Sequence, residues 1–91
     1  MSAASKRHMG RVASLPCVAC RLILGRRVPS EQVHHIESVR DEASDYLTVP
    51  LCHEHHQGSG GIHQLSRRGF ARTYGFDELR LLAETISLLG E

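Results

Sequence analysis

The stretch Leu51-Cys52-His53-Glu54-His55-His56-Gln57-Gly58-Ser59-Gly60-Gly61-Ile62-His63 holds four of the chain's seven histidines and one of its three cysteines. Donors at that density point to metal ligation. Two upstream fragments answer it: Cys17-Val18-Ala19-Cys20, and the doublet His34-His35 inside Val33-His34-His35-Ile36. Together the three fragments predict two metal sites with different tasks, one structural and one catalytic.

The bulk numbers favour such a staple. Ninety-one residues make one small domain, and a chain this short buries a modest fraction of its surface, so it often needs a metal or disulfides to fold. At 41% hydrophobic and 23% charged residues, with no Trp, the composition is that of a globular protein rather than a disordered one. No apolar run approaches the roughly 20 residues that cross a bilayer. Met1-Ser2-Ala3-Ala4-Ser5-Lys6-Arg7-His8 lacks the apolar segment of a signal peptide, so a cytoplasmic location is expected. Three cysteines is an odd count, which in a reducing compartment argues against a disulfide framework and for metal ligation.

Cys17-x2-Cys20 and Cys52-x2-His55 are two half-sites of equal spacing. Three thiolates and one imidazole suit tetrahedral zinc, and the sulfur ligands favour it over magnesium or calcium. All four positions would be filled by protein, which makes the site a staple with no place for substrate. The competing reading, three buried thiols acting as small apolar residues, does not account for the matched spacings. With His55 assigned to zinc, His34, His35, His56 and His63 remain. In a strand, neighbours His34 and His35 point to opposite faces, so one can ligate an ion while the other stands apart as a base. The glycine-rich loop Gly58 to Gly61 can bring His63 back toward His56. Three imidazoles around one ion with an unligated imidazole nearby is a hydrolytic arrangement.

The order Cys-x2-Cys, His-His, Leu-Cys-x2-His-His resembles the zinc-stapled HNH endonucleases, and within them the small phage and prophage members of the Ref/YbcO-like type. Val49-Pro50-Leu51-Cys52-His53-Glu54-His55-His56-Gln57-Gly58, ending in Gly61-Ile62-His63, carries the match, which spans about Cys17 to Tyr74. The resemblance implies a ββα-metal fold, with His34 as a metal ligand, His35 as general base, and His56 and His63 as further ligands of the catalytic ion. It also implies hydrolysis of DNA phosphodiester bonds to 5′-phosphate and 3′-hydroxyl ends. Three imidazoles favour zinc, nickel or manganese on softness, while family members also work with magnesium. One departure stands out: about five residues before the second half-site's cysteine the family usually has Asn, and here Leu47 stands there, with Asp45 and Tyr46 adjacent. The orientation of His35 must then come from a backbone carbonyl or another side chain.

Outside the metal fragments, the net charge of +1 hides an asymmetry. Before Glu31 there is no acidic residue, while Lys6, Arg7, Arg11, Arg21, Arg26 and Arg27 are basic. Residues 1–14 read as a flexible basic arm ahead of a nuclease domain over 15–91. Lys6, Arg7 and Arg11 on the arm, with Arg67, Arg68 and Arg72 after His63, are the candidate nucleic-acid contacts. Charge alone does not separate these from ordinary solvated side chains. Arg21-Leu22-Ile23-Leu24 reads as a short strand, Gln32 to Ile36 as a second, and Tyr46 to Leu51 as a third, limited by Pro50 to an edge or a strand end. Ser38 to Asp45 reads as a loop. Helical spacing runs from Ile62 to Tyr74 and stops at Gly75. Asp77 is a candidate N-cap for a last helix whose apolar face is Leu79, Leu82, Ala83, Ile86 and Leu89. His8 and His53 read as exposed without a role, and Glu37 and Glu54 as surface carboxylates.

Taken with the resemblance, the expectation is a small α/β (α+β) HNH nuclease of low sequence specificity that cuts DNA; a phage or prophage origin is what the resemblance alone implies. Two rivals stand beside it. One is a zinc-stapled nucleic-acid-binding module with a degenerate second site. The other is an assembly piece whose last helix docks a homodimer mate or a larger phage recombination or packaging complex.

Overall fold

A computed structural model describes residues 2–37 and 41–90. Ser38 to Arg40, part of the expected loop, lie outside the described residues. The sheet is a single antiparallel pair, β1 (Gln32–His35) and β2 (Thr48–Leu51), with His34 opposite Val49 and His35 opposite Thr48. Around it stand α1 (Ala3–Ala13), α2 (Val18–Leu24), α3 (His53–His56), α4 (Ile62–Tyr74) and α5 (Glu78–Leu89), so the described chain is a small α+β protein of two strands and five helices. Strand β2 is buried at all four positions, because α1, α2 and α5 all pack on it. Val49 and Leu51 join Val12, Val18, Phe70 and Leu81 in a fully buried core.

Four sequence expectations are corrected. The expected arm is helix α1, packed on β2 and on the 3₁₀ turn Ala43–Tyr46. A capping box starts it: the Ser2 hydroxyl accepts from Ser5 N–H at 3.0 Å and Ser5 Oγ accepts from Ser2 N–H at 3.1 Å. Val12 is its only buried large apolar residue, so apolar periodicity gave no signal, although Ala, Lys and Arg are good helix formers.

Arg21 to Leu24, expected as a strand, belong to α2. Cys17 caps that helix, its Sγ accepting from Cys20 N–H at 3.4 Å, and Gly25 ends it in the left-handed region at φ 63°. The strand expected from Tyr46 starts only at Thr48, since Ala43–Tyr46 form the 3₁₀ turn.

The last correction concerns α5. Asp77 caps it as expected, Oδ1 accepting from Leu79 N–H at 3.1 Å and Arg80 N–H at 3.3 Å. Its buried residues, however, are Glu78, Leu81 and Thr85, while Leu79 is 66% and Ile86 57% exposed. The phase of the helix is set by Glu78, which is drawn inward by polar partners described below.

Candidate metal centres and active site

Cys17 and Cys20 lie on the first turn of α2, and Cys52 and His55 on the junction of β2 with α3. Their donor atoms all fall within 4.8 Å of one another, and all four residues are buried. Cys20 Sγ is 3.7 Å from Cys52 Sγ and 3.4 Å from His55 Nδ1, and Cys52 Sγ is 3.3 Å from His55 Nδ1. A tetrahedron with zinc–sulfur arms of about 2.3 Å has edges of about 3.8 Å, so the donor set fits that ion. Burial pushes the Cys17 and Cys20 thiols up and the His55 imidazolium down. Without a cation, these groups would sit as neutral thiols in a polar-poor pocket; a bound cation is what makes thiolates stable there.

The second cluster is built by three elements. His34 comes from β1, His56 from the end of α3, and His63 from the start of α4. His34 Nδ1 lies 3.1 Å from His56 Nε2, and His63 Nε2 lies 3.0 Å from the same atom. The glycine loop makes this approach possible. A Cβ on Gly61 would sit 2.7 Å from the His56 carbonyl carbon and 2.8 Å from the Glu54 and His56 carbonyl oxygens. Glu54 pins the loop by accepting from Gly60 N–H at 2.7 Å, and the Tyr74 hydroxyl donates to the Gly60 carbonyl at 2.8 Å.

The outward nitrogens decide what the inward ones do. His34 Nε2 faces Glu78 Oε2 at 2.7 Å, and His56 Nδ1 faces Gln32 Oε1. Carboxylate and carboxamide oxygens only accept, so the ring protons belong on those outward nitrogens. The lone pairs of His34 Nδ1 and His56 Nε2 then point at each other, a repulsive arrangement that a cation relieves. Burial holds His56 down to about 4, with the imidazoles of His34, His63 and His53 adding to the effect, so its inward nitrogen is unprotonated at neutral pH. Three imidazoles close on one point, His34 and His56 fixed from behind by Glu78 and Gln32, a donor set that could hold a metal ion.

His35 lies beside this cluster and not in it. The two share a cleft of about 350 Å³ lined by His34, His35, His56, His63, Glu37 and Gln57. His35 Nε2 donates to Asp45 Oδ1 at 3.0 Å, both side chains being 12% exposed. That hydrogen bond and the Ser5 hydroxyl hold the Asp45 carboxyl below its usual range. The partner that the sequence left open for His35 is thus a side chain on the 3₁₀ turn. Thr48 Oγ1 donates to the Asp45 carbonyl at 3.1 Å and fixes the turn.

The candidate nucleic-acid contacts divide. Lys6 and Arg7 are exposed on α1, whereas Arg11 donates to the Leu89 carbonyl at the end of α5 at 2.9 Å. Arg68 and Arg72 are exposed on α4 without an ion pair among the described residues. Arg67 is engaged: Nε lies 2.6 Å from Glu78 Oε1, and the guanidinium donates to the Ile36 carbonyl. A break inside α4 at Ser66, φ 68° and ψ 166°, separates the turn carrying His63 from the turn carrying Arg67. Glu54 serves the loop, Glu37 faces the cleft, and the His8 ring lies tilted against Tyr46 with centroids 4.9 Å apart. Gln32, Asp45 and Glu78 are the site residues that sequence reasoning missed.

A Cys3His cluster that could hold a structural metal thus stands in the same small fold as a three-histidine cluster. Residues 1–86 match the family described as recombination enhancement, RecA-dependent nuclease, and the chain belongs to that family. No curated protein matches the chain. No helix among the described residues is long and apolar enough to cross a membrane.

Proposed function

We propose that the chain is a metal-dependent HNH-type endonuclease hydrolysing DNA phosphodiester bonds. The observation that carries this reading is the inward convergence of His34 Nδ1, His56 Nε2 and His63 Nε2, with His35 unligated beside them and bonded to Asp45. The antiparallel pair followed by α3 gives the β-β-α order that the resemblance implies.

His34, His56 and His63 would hold the catalytic ion. A divalent ion there supplies Lewis-acid stabilisation of charge growing on the phosphate; magnesium, manganese, nickel and zinc are the candidates. The chain's own residues do the proton work. With Nε2–H given to Asp45, His35 Nδ1 is the acceptor, and it takes a proton from water as the water oxygen bonds to phosphorus and the P–O3′ bond breaks, the leaving 3′ oxygen taking its proton from solvent. The Asp45 carboxylate fixes the tautomer and stabilises the imidazolium that forms. Arg68 and Arg72 hold flanking phosphates. The structural zinc keeps β2 and α3 in place and takes no part in the chemistry.

The family's description names RecA, so the proposed substrate is DNA undergoing recombination. The test incubates supercoiled plasmid and single-stranded DNA, each with and without RecA filament, with protein carrying its structural zinc. Magnesium, manganese, nickel or zinc is added singly, and His56→Ala runs beside the wild type. Ion-dependent cleavage that His56→Ala abolishes is the expected result. DNA binding without cleavage under every condition would return the chain to the binding-module reading.

A further inference from the structure

Away from the histidine cleft, α2 and α5 border an open cleft of about 510 Å³ whose lining includes Arg21, Arg26, Arg27, Arg80, Leu22 and Glu84. None of these residues lines the histidine cleft. Four arginines and one carboxylate share its lining. Glu84 is spent on bracing two of them, Oε2 lying 2.8 Å from Arg21 Nε and Oε1 3.8 Å from an Arg80 Nη. Arg26 and Arg27 are exposed and have no ion pair among the described residues. Their backbone is set: Gly25 N–H donates to the Arg21 carbonyl at 3.1 Å and Arg26 N–H to the Cys20 carbonyl at 3.4 Å. The arginine turn therefore hangs from the same short helix that carries two of the proposed zinc ligands.

We infer that this cleft is a second DNA-backbone site, binding phosphates of the strand whose scissile bond lies in the histidine cleft. The inference rests on the nuclease reading and extends its footprint. Guanidinium forks suit phosphate oxygens, and an uncompensated cluster of them focuses field on a concave surface. The described chain is 36 Å in its longest dimension, about one turn of duplex. A duplex of about ten base pairs is thus as long as the protein itself.

The test measures binding apart from cleavage. Zinc-loaded protein carrying His35→Ala, with no ion added at the second site, is titrated with a 30-base-pair duplex and a 30-nucleotide single strand over a range of salt. Arg26→Ala/Arg27→Ala and Arg80→Ala are each made in that background. Because these side chains lie on two different elements, a local folding defect in one would not be reproduced by the other. The expected result is a salt slope shallower by about two for the double variant and about one for Arg80→Ala, with affinity near 100 mM salt down roughly tenfold or more for the double variant. Unchanged slopes and affinities in both variants, while the parent binds DNA, would overturn the second site and leave the nuclease reading intact. Absence of DNA binding by the parent would overturn both. Tight binding of a nucleoside triphosphate that these substitutions abolish, with DNA binding untouched, would reassign the cleft to small anions.

Discussion

The Asp45 carboxylate lies 3.0 Å from Nε2 of His35, on a 3₁₀ turn against which the N-terminal helix packs. A side chain two positions from where the HNH pattern carries Asn thus holds His35, and α1 becomes part of the scaffold behind the proposed base. Replacing Asp45 with Ala should lower the single-turnover cleavage rate about 10- to 100-fold, the usual cost of losing an orienting partner. Asp45→Asn, which keeps an accepting oxygen, should cost less. The carboxyl is held below its ordinary range, so it is charged throughout neutrality. Its contribution is lost only as pH falls through that lowered value. Protonation of Asp45 should therefore add no step to the wild-type pH–rate profile between pH 6 and 8, and a pH–rate series checks it.

Glu78 serves two elements at once, accepting from His34 Nε2 through one oxygen and from Arg67 through the other. Glu78→Gln should weaken the second ion's binding about 10- to 100-fold while the structural zinc stays bound. Competition titration with a chromophoric chelator measures both.

The two clusters should lose their ions independently. Cys52→Ser should leave a chain without cooperative thermal unfolding, because in a 91-residue chain the staple's contribution rivals the whole stability. His56→Ala should retain one zinc per chain and a cooperative melt. Elemental analysis with circular dichroism separates the cases.

Ser66 holds φ 68° and ψ 166° in the middle of α4, a region that only glycine occupies without strain. Its hydroxyl accepts from Gly69 N–H at 3.2 Å and caps the second half of the helix. Ser66→Gly removes more strain than cap energy, so the zinc-loaded protein should gain about 1 kcal/mol, and Ser66→Val should lose at least as much. Urea midpoints at constant slope would show it.

The clustering of the donors was legible because metal sites impose spacing: Cys17-x2-Cys20 and Cys52-x2-His55 each fit one turn of chain, and Gly61 leaves the room that folds His63 back on His56. The supporting residues were not legible. Gln32, Asp45 and Glu78 reach the histidines only across the tertiary fold, at sequence separations of 24, 10 and 44, and no local pattern marks them. Helix α1 was missed because its inward contacts are Ser5 and Val12 rather than an apolar stripe. The face of α5 was misassigned because Glu78, an acidic residue, sits on its buried side. Hydrophobic phase misplaces a helix whose position is fixed by a polar anchor.

The most direct test of the whole account is the single-turnover cleavage rate of His35→Ala against wild type, at saturating DNA and saturating ion, with RecA filament present. The predicted result is a fall of roughly 100- to 10,000-fold, with both ions still bound and the melting temperature unchanged. Equal rates in the two proteins would contradict the assignment of His35 as the base and, with it, the hydrolytic reading of the cleft.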